Sequence, residues 1–307
     1  MTSHVNSLLY TLSPYQIMGK AIAKELCFLE AQVDFARFAN GELHLTLSEP
    51  VLGKECFILG SINPREVSPI DDNLLSFLAL CHTVHKEKGL RITAILPYLA
   101  YSRHDKEEPL KSRMAALIGK FVEVSGVDKL ITFDVHSPII ASFYPIPLVN
   151  ISSADLFAEE VRKMDVSAIS FVAPDEGAVN RCKGVAKKVS SDASIAFVKK
   201  KRCETSVFHL DMEGSVKKKV VIIDDILDTG ITLISCCKKL IEQGVEEIVI
   251  MITHGLFTGT LWEELWDLKV KKIYTTDTIP LPHHLQEQEN IVVLSVVPLL
   301  IKTLKNR

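Results

Sequence analysis

Short runs of consecutive apolar and β-branched residues recur along the chain, and longer amphipathic stretches separate them. Strands that are apolar on both faces are typical of parallel sheets covered by helices on each side. The predicted strands are Cys56–Leu59, Ile92–Leu96, Leu130–Phe133, Ile169–Val172, Val220–Ile223, Ile248–Ile252 and Ile291–Val293. The pattern therefore predicts an α/β protein.

Helix signals lie between these runs. Ser13–Pro14 favours the start of one helix, and Asp71–Asp72 places acidic residues at the start of another, which we expect to end with Gly89 as its C-cap. The stretch Thr232–Gln243 has the same helical character and closes at Gly244. Strand and helix signals thus alternate, as parallel sheets require.

The chain of 307 residues is long for one domain, and domains of about 150 residues suggest two. The turn-rich segment 145–155 divides it nearly in half, and a last helix with basic residues near its end follows the final strand. We expect one domain over residues 1–147, a second over 148–293, and a helix over 294–307 that packs back on the first domain.

Charge and composition restrict the function classes. Lys plus Arg number 35 against 38 Asp plus Glu, a net charge of −3, which gives no global footprint for nucleic acid or an acidic membrane. The chain has seven cysteines and no CxxC pair, which predicts reduced thiols. Its start lacks the pattern of a signal peptide, and its apolar run at 291–301 is too short to cross a bilayer of about 30 Å. These features predict a cytoplasmic protein. Any anion site must be local.

The strongest chemical signal is VVIIDDILDTGITL, residues 220–233. A strand, two carboxylates, a short loop and a helix offer backbone N–H groups and hydroxyls to an anion at a helix N-terminus. Adjacent carboxylates would repel a bare phosphate, so they favour sugar hydroxyls or a divalent cation. An ordinary acidic helix cap is the alternative. The candidate binding residues are Asp224, Asp225, Asp228, Thr229, Gly230 and Thr232.

Five other segments accompany this motif in fixed order: FANGE at 38–42, PYLAYSRHDK at 97–106, FDVHSP at 133–138, VAPDEGAVNR at 172–181 and THGLF at 253–257. The motif alone resembles the phosphoribosyl-diphosphate fingerprint of type I phosphoribosyltransferases and of ribose-phosphate diphosphokinases. The whole set, over nearly the full chain, resembles the diphosphokinases, also called phosphoribosyl-diphosphate synthetases.

The resemblance implies two similar phosphoribosyltransferase-like domains, each a mainly parallel sheet flanked by helices. The implied reaction is attack by the C1 hydroxyl of ribose 5-phosphate on the β-phosphorus of ATP, with Mg²⁺ as cofactor and AMP as the second product. It also implies a homo-oligomer in which the segment at 38–42 reaches the ATP site of a neighbouring subunit. A catalytically silent paralogue and a phosphoribosyltransferase are the competing functions.

Carried onto this chain, the resemblance assigns residues to two ligands. The ATP-binding residues would be Phe38, Asn40, Glu42, Arg103, His104 and Asp105, and the metal ligands would be His136 and Asp175, with Asp175 also near ribose 5-phosphate. Two of these residues also have a purely structural interpretation. Arg103 could form a surface ion pair with Asp105, and a lone His such as His136 is often structural.

The cationic run VKKKRCET, residues 198–205, carries the predicted catalytic residues Lys200 and Arg202. In the family a mobile loop bears Lys-x-Arg, and these two residues have that spacing. Lys199 with Lys201 is the alternative register, and a solvated charged face is the plain alternative. We expect a loop from Lys199 to Thr205 that is poorly ordered without substrate.

Three residues depart from the family pattern: Asn40 replaces an Asp, His104 a Gln, and Ile231 a Gly. Asn40 keeps an acceptor oxygen. Ile231 would be strained if its position needs a positive φ, unless Gly230 takes that conformation instead. The PDEGA form of the turn resembles the archaeal-type branch, which puts feedback control by ADP in question.

Overall fold

The computed structural model describes residues 6–60, 69–202 and 208–306. The chain forms two compact units, one of Met1–Ile151 with Val297–Arg307 and the other of Ser152–Val296. Each unit has its own main sheet. The helices are α1 Gln16–Leu26, α2 Ile70–Lys86, α3 Met114–Val124, α4 Ala154–Val161, α5 Val179–Val189, α6 Ile231–Glu242 and α7 Val297–Lys305.

The first unit contains a six-stranded sheet of order β2-β1-β5-β6-β7-β8, in which all neighbours are parallel. Strands β3 and β4 form a separate antiparallel hairpin. The strands are β1 Ser7–Thr11, β2 Leu29–Ala31, β3 Val33–Arg37, β4 Leu43–Leu47, β5 Glu55–Leu59, β6 Arg91–Ile95, β7 Lys129–Phe133 and β8 Leu148–Ile151.

The second unit contains a seven-stranded sheet of order β11-β10-β9-β12-β13-β14-β15. All neighbours are parallel except β10 and β11, which pair antiparallel at one edge. The strands are β9 Ile169–Ala173, β10 Ile195–Arg202, β11 Phe208–Glu213, β12 Lys219–Leu227, β13 Glu247–Gly255, β14 Val270–Thr276 and β15 Ile291–Leu294.

Strand β12 shows why a strand covered on both faces needs a continuous apolar run. Val220 and Ile222 belong to a buried cluster shared with α6, whereas Val221 and Ile223 belong to another shared with α4 and α5. Successive side chains of a strand point to opposite faces, so a sheet covered on both sides has no polar face. The predicted α/β class, with mainly parallel sheets flanked by helices, is confirmed.

The unit boundary lies at 151/152, four residues beyond the predicted end of the first domain at 147. The difference arises because β8 pairs with β7, from Leu130↔Leu148 to Phe133↔Ile151. After Val296 the chain returns to the first unit, where α7 contacts α1 and Lys305 forms a 2.7 Å ion pair with Glu25.

The end of α2 differs in detail from the prediction. The helix ends at Lys86, and Lys88, not Gly89, adopts the left-handed conformation with φ of 62°. A Cβ at Gly89 would lie 2.9 Å from Val84 Cγ1, so this glycine serves close packing instead of a left-handed cap.

Among the described cysteines, Cys27 is exposed and the other five are buried and unpaired. Burial raises the pKa of Cys182 and of Cys237 to about 12, which suits the inert thiols expected from the sequence. Within the described ranges, no helix combines the length and apolar character that a membrane crossing needs.

Candidate active site

The motif at 220–233 forms the end of β12, a short loop and the start of α6. The sequence pattern predicts that the strand ends before Asp224 and Asp225. In the structure both carboxylates lie inside the strand. The strand continues because β13 pairs with it as far as Leu227↔Gly255. We call residues 228–230, between β12 and α6, the β12–α6 loop.

The backbone of this loop is held by the residues that follow β13. Leu227 O accepts the N–H groups of Leu256 at 2.8 Å and Phe257 at 3.1 Å, and Asp228 O accepts that of Thr258 at 3.1 Å. Phe257 has a φ of 50°. The THGLF segment therefore supports the loop through its backbone.

Gly230 is the residue that takes the left-handed conformation, with φ of 86°, while Ile231 is the first residue of α6. A Cβ at Gly230 would lie 2.8 Å from Trp262 Cα, so the loop packs against backbone that cannot easily move. The strain considered for Ile231 is thus avoided, and its side chain is 59% exposed.

Arg181 lies between the two carboxylates of β12. Its Nη1 is 3.4 Å from Asp224 Oδ1 and 3.3 Å from Asp225 Oδ1. The Asp225 N–H also donates to Asp224 Oδ1 at 2.8 Å. Burial, followed by the neighbouring Asp225 carboxylate, raises the pKa of Asp224 well above its usual value, and the Arg181 guanidinium opposes that shift.

Asp175 lies in the turn from β9 to α5 and contributes to the same negative environment, since its charge also raises the pKa of Asp224. Its Oδ1 accepts the N–H of Ala178 at 3.2 Å, at the start of α5. Of the three aspartates predicted from the sequence, Asp224 and Asp225 both contact Arg181, and Asp175 is near enough for its charge to act on Asp224. Arg181 was missed as a site residue, although the segment VAPDEGAVNR ends with it.

In the first unit, a partly buried hydrogen bond joins the segments that follow β6 and β7. Ser137 Oγ donates to Asp105 Oδ2 at 2.6 Å, and Asp105 is 8% exposed. Arg103 and His104, next to Asp105, and His136, next to Ser137, are all exposed. Arg103, His104 and His136 thus lie at one edge of this unit's six-stranded sheet, whereas Phe38, Asn40 and Glu42 lie on the separate hairpin of β3 and β4.

The turn before His136 begins with Asp134, which is buried and has a φ of 32°. The Val135 N–H donates to Asn150 Oδ1 at 3.1 Å. The hydrogen bond from Val135 to Asn150 of β8 therefore holds the turn that presents His136.

Tyr101 anchors the other segment. Its φ is 65°, its hydroxyl donates to Asp71 at the start of α2, and its ring lies edge-on to His104 with centroids 6.4 Å apart. Burial, together with this bond to a carboxylate, raises the pKa of Tyr101 to about 12. The hydroxyl therefore stays a hydrogen-bond donor at neutral pH.

Residues 38–42, which we call the hairpin tip, connect β3 and β4. Phe38 is 58% exposed, and the Glu42 N–H donates to Asn40 Oδ1 at 3.2 Å. An Asp at position 40 would offer the same acceptor oxygen, so the substitution keeps this turn contact. Arg37 fixes the tip, donating to Gly41 O at 2.7 Å and to Asp72 Oδ2 of α2 at 3.0 Å.

The cationic run is strand over part of its length. Residues 195–202 form β10, and its end pairs with β11 as far as Arg202↔Phe208. The expected loop is therefore wrong for residues 199–202, because cross-strand pairing extends β10 through Arg202. Residues 203–207, including Cys203 and Thr205, lie outside the described residues. Lys199 is exposed, and its Nζ lies 3.8 Å from Glu176 Oε1 in the PDEGA turn.

Comparison with known proteins covers both halves of the chain. Residues 8–126 match the model for the N-terminal domain of ribose phosphate pyrophosphokinase, and residues 140–288 match the phosphoribosyl transferase domain. The chain is 31% identical to the ribose-phosphate pyrophosphokinase of Ralstonia nicotianae, over 93% of this chain and 90% of the relative. It is 32% identical to ribose-phosphate pyrophosphokinase 1 of Lactococcus lactis subsp. lactis, over 97% and 92% respectively.

The chain belongs to the ribose-phosphate pyrophosphokinase family. A solved structure of phosphoribosylpyrophosphate synthetase from Mycobacterium smegmatis is similar to it, with a TM-score of 0.88, 25% identity and 98% of each chain covered. Pyrophosphokinase and diphosphokinase name the same activity, so the family inferred from the sequence motifs is confirmed.

The side chains of the candidate site are compatible with binding of Mg²⁺ together with a substrate. Among the described residues, no group of three or more His, Cys, Asp or Glu side chains is arranged to hold a metal. Mg²⁺ is usually bound by one or two carboxylates together with substrate phosphates and water, not by an all-protein cage. A partly buried carboxylate such as Asp175 suits that arrangement, because substrate phosphates and water would supply the other ligands.

Proposed function

We propose that this protein transfers the diphosphoryl group of ATP to the C1 hydroxyl of ribose 5-phosphate, giving 5-phosphoribosyl 1-diphosphate and AMP. The observation that carries the proposal is the β12–α6 loop with its acidic pair, in a chain related over nearly its whole length to enzymes named for this reaction. The remaining site residues are assigned on that basis.

The second unit, predicted as residues 148–293, would bind ribose 5-phosphate. The N-terminus of α6 directs backbone N–H groups at the loop, which favours a phosphate there. Asp224 and Asp225 would accept hydrogen bonds from the ribose hydroxyls. The residues proposed for this substrate are Asp175, Asp224, Asp225, Asp228, Thr229, Gly230 and Thr232.

The first unit, predicted as residues 1–147 with the last helix, would bind ATP. Arg103 and His104 are exposed beside the turn of His136, and an exposed Arg suits a phosphate group. Exposed Phe38 suits an adenine ring, and Asn40 and Glu42 suit its polar edge. An exposed tip also suits a shared site in a homo-oligomer, which stays a prediction, as does a cytoplasmic location.

The chemistry forms one bond and breaks another. The C1 oxygen of ribose 5-phosphate attacks the β-phosphorus, the bond from that phosphorus to the oxygen bridging it to the α-phosphorus breaks, and AMP leaves. Such transfers depend on in-line positioning and on neutralising the phosphoryl charge. Lys200 and Arg202 would supply positive charge and help exclude water. Mg²⁺ would neutralise further phosphate charge; His136 is its predicted ligand in the first unit and Asp175 its predicted ligand in the second.

The test is an assay of purified protein with ATP, MgCl₂ and ribose 5-phosphate. We expect AMP and 5-phosphoribosyl 1-diphosphate in equal amounts, and no AMP when ribose 5-phosphate is omitted. A protein that forms no AMP but alters the activity of a related active enzyme would be a silent paralogue. Consumption of 5-phosphoribosyl 1-diphosphate only when a nucleobase is added would identify a phosphoribosyltransferase.

A further inference from the structure

Arg181 occupies a position that helix formation does not favour. It is the third residue of α5, and a cation in the first turn of a helix opposes the helix dipole. Lys187 and Lys188, at the other end of the same helix, follow the ordinary preference. A reason for Arg181 must therefore come from its contacts.

Those contacts are two largely buried ion pairs. Its side chain is 14% exposed, and its partners Asp224 and Asp225 are 13% and 5% exposed. Surface pairs in the same protein, such as Lys218 with Glu246, have partners that are 75% and 59% exposed. Because buried charges lose their hydration, such a pair is seldom present for stability alone.

The topology explains why this arginine can reach both carboxylates. Strands β9 and β12 are parallel neighbours in register at Val172↔Ile222, so the turn after β9 lies beside the end of β12. Helix α5 begins directly after that turn. One guanidinium nitrogen, Nη1, lies within 3.4 Å of an oxygen of each carboxylate and so fixes both relative to the β12–α6 loop.

We infer that Arg181 is a positioning residue for the sugar substrate, holding Asp224 and Asp225 in the orientation that receives the ribose hydroxyls. The inference rests on the proposed function, because it assigns the acidic pair to ribose 5-phosphate. It places the effect of Arg181 on one substrate, since the ATP-binding residues belong to the other unit.

The experiment compares Arg181→Gln, Arg181→Lys and the control Arg162→Gln, an exposed arginine at the end of α4 in the same unit. We expect Arg181→Gln to raise KM for ribose 5-phosphate by about tenfold or more, while KM for ATP changes by less than about twofold. Arg181→Lys should recover part of the loss, since one cationic nitrogen makes both contacts. Arg162→Gln should match the wild type.

Several outcomes separate positioning from simple folding support. A variant that only loses folded protein would show a lower kcat with unchanged KM values, and that result would overturn the inference, as would equal rises in both KM values. If Arg181→Gln does not fold, Arg181→Lys decides alone: a raised KM for ribose 5-phosphate supports the inference, and a wild-type value overturns it.

Calorimetric titration with ribose 5-phosphate alone separates this inference from the proposed function. If the wild type forms no AMP, the proposed function fails. The positioning role of Arg181 is then supported if the wild type binds ribose 5-phosphate more tightly than Arg181→Gln does. Equal affinities, or no binding by either, would overturn the role of Arg181.

Discussion

Left-handed backbone conformations recur where strands of both units end. Tyr101 and Asp134 follow strands of the first unit, and Gly230 and Phe257 follow strands of the second. A positive φ costs free energy for a residue with a side chain and persists only where surrounding contacts hold it. Here those contacts include the Tyr101–Asp71 hydrogen bond and the packing of Phe257 on Trp262, with ring centroids 4.9 Å apart. The turns that present the candidate site are therefore held by neighbours that need not touch a substrate.

Gly230→Ala tests, at one residue, whether neighbouring residues hold the turns of the candidate site. The substitution adds a strained φ and a contact with Trp262, so we expect a loss of about 2 kcal/mol or more in the free energy of unfolding and a higher KM for ribose 5-phosphate. The measurements are urea unfolding and initial rates over ribose 5-phosphate concentration.

Gly244→Ala is the matched control, because Gly244 also has a positive φ, 82°, but no atom lies within 4 Å of its added Cβ. It should lose stability through φ strain alone, about 1 kcal/mol, and keep the wild-type KM. If both variants lose equal stability and neither changes KM, Trp262 does not constrain the loop.

The elements predicted from the sequence are those whose signal is local. Apolar runs such as Val220–Ile223 identify strands because both faces of the sheet are covered, and the family motifs supply the predicted site residues. The hairpin of β3 and β4 was missed, since its strands are only half buried and alternate in polarity. The pair Asn40–Gly41, a typical hairpin turn signal, could have found it. The extension of β10 could not be predicted, because a cationic run becomes strand only through pairing with β11.

Phe38→Ala tests the hairpin tip as an adenine-binding element. Loss of a stacking ring should raise KM for ATP by about tenfold, equivalent to about 1.4 kcal/mol, with little change in KM for ribose 5-phosphate. Leu90→Ala removes a similarly exposed apolar side chain, 68% exposed, from the start of β6 and should leave both constants unchanged. An unchanged KM for ATP in Phe38→Ala would remove the tip from the ATP site.

Alanine substitutions at Lys200 and Arg202 test the end of β10. If these cations act on charge that develops in the transition state, each change should lower kcat by about a hundredfold, equivalent to about 3 kcal/mol, and move KM values much less. Lys199→Ala and Lys201→Ala are the controls for the other register. A loss confined to the control positions would reverse the assignment, and wild-type kcat in all four would make the run a solvated face.

The chain passes between its two units twice, at 151/152 and at 296/297. The second crossing is anchored in its own unit by Asp277, which accepts the Val296 N–H and the Ser295 hydroxyl, each at 2.7 Å. Sequence patterns located the last helix but not this anchor, because one Asp among turn residues has no distinctive spacing.

Asp277 makes the free energy of unfolding depend on pH. Burial raises the pKa of Asp277, so the folded protein keeps its proton at pH values where the unfolded chain has lost it. The resulting stabilisation is present below the unfolded pKa of about 3.9 and is lost as pH rises through the folded pKa. Relative to Asp277→Asn, the wild-type free energy of unfolding should therefore fall as pH rises from about 4.

Asp165 provides the opposite case. Hydrogen bonds from Ser167 lower its pKa, so its stabilisation is present above the unfolded pKa and is lost as pH falls through the folded pKa. Urea unfolding of Asp277→Asn and Asp165→Asn across the same pH series should give slopes of opposite sign. Equal slopes would contradict the assignment of the Asp277 effect.

Strand β12 pairs with β9 only as far as Ile222 but with β13 as far as Leu227. Its last five residues, which include the acidic pair, thus extend beyond one neighbour while staying paired with the other. Opening fluctuations should spread into this segment from the side of α5 before they disturb the pairing with β13. In amide hydrogen exchange, Val220–Ile222 should be protected longest, and ribose 5-phosphate should slow exchange mainly at 223–230, where binding would close the side that β9 leaves uncovered.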